Sequence, residues 1–180
     1  PGTRPGEHVL TPQPQPQAVT LQRVDFSDRS DAAWTPPQHV LNPQLDPHAG
    51  LVFASDPLPQ DTELAGPFGG APVSTLTKPL VNTAIGAYER SPEGGYLDLA
   101  WWIQRASYGG DRRQRRLLQP GAPQQLVVKD RRLLGRKLAA GSRLVVTVGV
   151  GKQPDRQLNL GSGKDPSEET VADAGPPLEI

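Results

Sequence analysis

Asn82-Thr-Ala-Ile-Gly-Ala-Tyr-Glu-Arg90, Ser91-Pro-Glu-Gly-Gly95, Tyr96-Leu-Asp-Leu-Ala-Trp-Trp-Ile-Gln-Arg105 reads as a strand, a turn and the returning partner strand. The two arms mix β-branched and aromatic residues, and the connection is rich in the Ser, Pro and Gly that hairpin loops need. Upstream, Leu51-Val-Phe-Ala-Ser55 is a short apolar run bounded by Gly50 and Pro57, so a buried strand is predicted. Thr62–Phe68 and Ala71–Thr77 continue the pattern. Val19-Thr-Leu-Gln-Arg-Val-Asp-Phe26 combines β-formers with alternation, whereas Asp28–Pro47 is broken by Pro36-Pro37, Asn42-Pro43 and Asp46-Pro47. Downstream, Gln125–Lys129, Leu133–Leu138 and Leu144–Val150 are predicted strands, and Pro177–Ile180 begins another. Asp111–Leu118 is the one segment predicted to form a helical turn or short helix. Short strands separated by turn signals indicate an all-β fold, a β-sandwich.

Composition agrees. With 21 prolines and 19 glycines in 180 residues, a helical bundle is excluded, yet the chain is long enough to bury a core. Residues 1–18, with Thr11-Pro-Gln-Pro-Gln-Pro-Gln17, read as an extended Pro/Gln-rich arm or linker, and 19–180 as one domain. There is no cysteine, so neither disulfides nor thiolate chemistry are available. No apolar run reaches the length of a membrane helix. No methionine occurs, even at position 1, which suggests a piece of a longer polypeptide. The net charge of zero gives no general attraction to nucleic acid or to anionic membranes, and neither is expected as a partner. The distribution is uneven: residues 1–90 hold 5 Lys+Arg against 9 Asp+Glu, and 91–180 hold 14 against 10. Between Arg105 and Arg143 the ratio is 11 basic to 2 acidic, which makes a basic face.

The sequence carries no recognisable catalytic pattern. The Gly-x-Ser-x-Gly nucleophile elbow is missing, since Gly161-Ser162-Gly163 has the wrong spacing. His8, His39 and His48 lie in Pro-rich irregular sequence with no candidate nucleophile beside them and no zinc-binding spacing. Asp61 and Glu63 share one strand face, but without a Ca²⁺ loop they read as a solvated edge; in Asp165-Pro-Ser-Glu-Glu169, Ser167 is expected to cap a turn. Gly161-Ser-Gly-Lys164 looks like part of a phosphate loop, but Asp165-Pro166 follows where a helix should start. No catalytic residue, metal site or cofactor is assigned. Arg112-Arg-Gln-Arg-Arg116, near Tyr108 and Trp101-Trp102, fits pairing with acids of an adjoining domain better than a nucleic-acid footprint. Alternation places only one of the two tryptophans on a given face and sends the other into the core.

Several blocks, in order, resemble a known family. They are Leu51–Gly66, Ala87-Tyr-Glu-Arg90 with Pro92-Glu-Gly-Gly-Tyr96, Arg105-Ala-Ser-Tyr108 with Asp111-Arg112, and Arg136 with Leu138–Leu144. Lys152-Gln-Pro-Asp155, Gly161-Ser-Gly-Lys-Asp165, Val171-Ala-Asp-Ala174 and Pro177-Leu-Glu-Ile180 complete the series. From about Val19 onward they resemble the C-terminal domain of the X-Pro dipeptidyl-peptidase-like serine hydrolases, which include cocaine esterase, glutaryl acylases and α-amino-acid ester hydrolases. The resemblance implies a galactose-binding-like jelly-roll β-sandwich whose last strand is clipped at Ile180. It also implies that the catalytic Ser, Asp and His belong to an upstream α/β-hydrolase domain, the expected partner, with self-association possible. The parent would be a bacterial peptidase, acylase or esterase of cytoplasm or periplasm. On this reading the docking candidates are Arg105, Tyr108, Asp111, Arg112, Lys152, Asp155, Asn159, Lys164 and Asp165. The alternative is a carbohydrate-binding sandwich with Trp34, Trp101 or Trp102 as the stacking platform.

Overall fold

The computed structural model describes residues 6–13, 19–33, 35, 39–153 and 155–180, with the backbone alone at 129–132. Eleven strands run β1 (Glu7–Val9), β2 (Arg23–Val24), β3 (Leu51–Ala54), β4 (Thr62–Gly70), β5 (Val73–Thr75), β6 (Asn82–Arg90), β7 (Tyr96–Arg105), β8 (Pro123–Gln125), β9 (Val128–Leu138), β10 (Arg143–Val150) and β11 (Leu178–Glu179). The only helical pieces among the described residues are 3₁₀ turns at Ser30–Ala33, Ala106–Tyr108 and Val171–Asp173. The protein is therefore all-β, as a sandwich requires. Its main sheet has five strands in the order β1-β3-β10-β6-β7, accompanied by the ribbons β4-β9, β5-β8 and β2-β11.

The central hairpin forms as its sequence dictates. β6 pairs antiparallel with β7 from Asn82↔Arg105 to Arg90↔Tyr96, with one irregularity between Ala87 and Tyr88. In the turn, Ser91 N–H donates to Gly95 O at 2.8 Å, and Gly94 takes a φ of 98° that disfavours any side chain. β10 lies on the other side of β6, so β6 is central and buried on both faces apart from Tyr88. The ribbon strand β4 instead alternates half-buried and exposed positions, the signature of a single buried face.

The two faces of the main sheet have separate cores. On one, Ile85, Trp102, Val146 and Val148 pack against Phe68 of β4 and Val128 of β9, which makes the β4-β9 ribbon the facing layer. On the other, Ala54, Tyr96, Val145 and Tyr88 are covered by Leu45 from the irregular 42–49 segment. That segment crosses β10 closely: a Cβ on Gly50 would sit 2.5 Å from the Val148 carbonyl oxygen, and one on Gly149 would collide with the carbonyl of Ala49. A third cluster joins Phe26, Leu76, Val81, Val150, Leu160 and Leu178, so the carboxyl-terminal segment is part of the core.

Three expectations change. Glu7–Val9, within the predicted linker, forms an edge strand parallel to β3, and Arg90 donates to Glu7 at 2.7 Å with both side chains at least nine-tenths buried. Asp111–Leu118 is not helical: Asp111 Oδ1 accepts from Arg113 N–H in a side-chain-closed turn, and the chain then runs extended, Arg116 N–H donating to Ser107 O. Four arginines crowded into one helical turn would repel one another, and the extended course separates them. Leu133–Leu138 and the residues from Val128 merge into one strand, β9, whereas the chain leaves pairing at Leu126-Val127.

Candidate docking surface

The residues singled out in the sequence fall on three neighbouring segments: the end of β7 with the Ala106–Tyr108 turn, the arginine-rich 111–118 stretch, and the 151–170 loop. The loop is anchored from beneath. Gly151 N–H donates to Asn82 O at 2.7 Å, and Asn82 Nδ2 donates to Gln157 O at 3.1 Å. Asn159, fully buried, donates through Nδ2 to Asn82 Oδ1 and accepts from Gly161 N–H, each at 3.0 Å. This interior amide pair satisfies polar atoms that would otherwise be costly to bury. Asn82 was legible only as the start of a strand; the signal was a polar residue opening an apolar run.

Glu169 fixes the loop's far half. Its carboxylate accepts from Leu160 N–H at 2.7 Å, Ser162 N–H at 2.9 Å and Ser162 Oγ at 2.6 Å. Lys164 N–H donates to Ser162 Oγ at 3.1 Å. The loop is not a phosphate loop; the donors of Leu160 and Ser162 are taken by its own glutamate. Asp165, not Ser167, is the acceptor of the following turn: Ser167 donates to Asp165 Oδ1 from N–H at 2.9 Å and from Oγ at 2.7 Å. These bonds hold the Asp165 carboxyl below its ordinary range, and Arg105 and Arg115 add to the effect.

On this rigid support a charged patch is displayed. Arg105 donates to Gln157 Oε1 at 2.6 Å. Arg115 donates to the carbonyls of Gly163 and Lys164 and stays exposed. Lys164 pairs with Asp173 at 2.6 Å, which pushes the ammonium up and, with Thr170, drives Asp173 down to about 2. Leu117, exposed, lies beside Gly163. Arg105, Lys164 and Asp165 therefore share one surface with Arg115. Asp111 is spent on its turn, Arg112 is exposed, and Tyr108 is half-buried. Lys152 points elsewhere: its ammonium donates to Asp25 O and Asp28 O and lies 3.5 Å from Asp31, an acid 2 % exposed. It locks the 25–31 segment to the end of β10. Asp155 pairs with Arg156 at 3.2 Å.

Of the basic residues further along, Arg136 is paired to buried Glu89 at 2.8 Å and Lys137 to Asp61 at 3.0 Å, whereas among the described residues the arginines at 112–116 have no acidic partner. Trp102 is buried in the core. Trp101 faces the other way and carries the Arg156 guanidinium 4.7 Å from its ring centre, over a face on which a sugar would stack. Trp34 lies outside the described residues. His8 stacks on Phe53, and His48 lies 3.3 Å from Asp46. Among the described residues no group of three or more His, Cys, Asp or Glu is arranged to hold a metal.

No protein-family model and no curated protein matches the chain. Solved structures do. An α-amino acid ester hydrolase superposes with a TM-score of 0.64 at 15 % identity, covering 72 % of this chain and 22 % of the enzyme. An aminopeptidase from a marine-sediment Thaumarchaeota archaeon superposes with a TM-score of 0.58 at 17 % identity, covering 71 % of this chain and 22 % of that one. The fold is thus that of an all-β segment found in hydrolases, one of them of the family that the ordered motifs resemble. The chain spans about a fifth of the length of each, as the 22 % coverage shows.

Proposed function

We propose that this chain is the non-catalytic, C-terminal accessory domain of a serine hydrolase acting on ester or amide bonds. It would be a galactose-binding-like jelly roll that packs on an α/β-hydrolase domain of the same polypeptide. The observation that carries the reading is the fold match to about a fifth of an α-amino acid ester hydrolase. The patch built from Arg105, Arg115, Lys164 and Asp165 is the docking face, held in one conformation by Asn159 and Glu169 so that little ordering remains to be done on contact. The purified chain should hydrolyse p-nitrophenyl esters no faster than buffer. Added to a hydrolase lacking its own C-terminal domain, it should form a complex and restore activity. Esterase turnover by the chain alone, surviving repurification and substitution of its exposed serines, would refute the proposal.

A further inference from the structure

A cavity of about 240 Å³ opens between the end of β7, the 106–110 turn, the 116–118 stretch and the 124–127 crossover. It is smaller than the roughly 300–1,000 Å³ sites that take drug-sized ligands, so its size suits only a small molecule. Its walls combine the indole of Trp102 and the apolar Leu118 with polar groups: Thr83, Gln104, Ser107 and Arg116. The frame is held in place. Gln104, with its oxygen toward Gly109 N–H (3.1 Å) and its nitrogen toward Val127 O (3.3 Å), clips the 106–110 turn to the strand crossover. Arg116 N–H donates to Ser107 O at 2.8 Å and ties the guanidinium-bearing segment to the same turn.

Two features indicate a ligand and its charge. Ser107 is 3 % exposed, lines the cavity, and its hydroxyl has no hydrogen-bond partner. A hydroxyl left unpaired at such burial is costly unless something completes it. The described lining includes the arginine Arg116 but no aspartate or glutamate, and Arg112, Arg113 and Arg115 are exposed on the adjoining stretch. The Arg116 guanidinium donates to the neutral Gln114 Oε1 at 2.9 Å and meets no acid among the described residues; such a fork keeps its charge and donors to spare for a carboxylate, which takes paired N–H groups. We infer that this cavity is a binding site for a small carboxylate, the guanidinium of Arg116 and the Ser107 hydroxyl donating to its oxygens and Trp102 and Leu118 packing its apolar part. The site does not depend on the accessory-domain reading.

The test is an NMR titration of the ¹⁵N-labelled chain with N-acetylglycine, set against its neutral amide and galactose. Saturable shifts at the Ser107, Gly109 and Gly110 amides and the Trp102 indole are expected with the carboxylate alone. Arg116→Gln, at an exposed position that leaves the core intact, should weaken binding by about tenfold or more, and Ser107→Ala should weaken it further. Equal binding of the amide or of galactose, shifts that map elsewhere, an unaffected Arg116→Gln variant, or no saturation at millimolar concentration would each overturn the assignment.

Discussion

Glu169 closes the loop with one carboxylate, which accepts from Leu160 and from Ser162. Leu160 is 3 % exposed, so its amide has no water to fall back on. Glu169→Ala should cost about 1–3 kcal/mol in urea unfolding. Because the cradle is then empty, sulfate should restore part of the loss to the variant and do less for the parent; equal stabilisation of both would show that no cradle exists. Tyr88 gives a second prediction. Burial pushes its phenol up to about 12, with Asp98 adding to the shift and the bond to Thr147 opposing it. The unfolded chain loses this proton near 10, so Tyr88 contributes stability that is intact below about pH 10 and lost as pH rises toward 12. The ultraviolet phenolate titration should contain a step near 12 that disappears in Tyr88→Phe. Neither residue's role was legible in the sequence. Glu169 stands beside Glu168 in a polar turn, and nothing local says that it folds back on residues 160–162.

The strands themselves were readable where one physical signal dominated. Asn82–Arg90 and Tyr96–Arg105 have the bounds their alternation and turn residues predict, and Arg143–Val150 extends the expected run by one residue. Reading failed where tertiary contacts decide. β1 is only three residues long, precedes a Pro-Gln repeat, and exists because the open edge of β3 and the buried guanidinium of Arg90 await it. Val19–Phe26 pairs over Arg23-Val24 alone, because its partner β11 is equally short. Glu7–Val9 is therefore an integral edge strand with an ionic lock. Glu7→Gln should destabilise the protein by about 3 kcal/mol, at the low end for a broken buried pair because Tyr96 still shares the Arg90 guanidinium. Thermal unfolding is the measurement, and an unchanged transition would mean that the arm is not engaged in solution.

At the scale of the whole molecule, the basic side chains among the described residues differ in their commitments. Arg105, Arg136, Lys137 and Lys152 are committed to internal partners, while Arg112 and Arg113 have exposed side chains. The double variant Arg112→Glu/Arg113→Glu should therefore leave the unfolding midpoint almost unmoved, within about 0.5 kcal/mol. If the chain is the accessory domain proposed above, the variant should nonetheless bind the catalytic domain more weakly, most visibly at low ionic strength in a pull-down or titration. Unaltered binding would show that the charge of Arg112 and Arg113 takes no part in the proposed docking. The basic character of that stretch is legible in the sequence, but the anchoring of the loop beside it is not, because it depends on the buried Asn82–Asn159 pair and on Glu169. That last contact has a further consequence. A carboxylate carried on the same chain and held at bonding distance competes at an effective concentration that dissolved anions do not match. The glycine turn is thereby closed to free phosphate, and the surface it shapes should keep its form as the ionic composition around the protein changes.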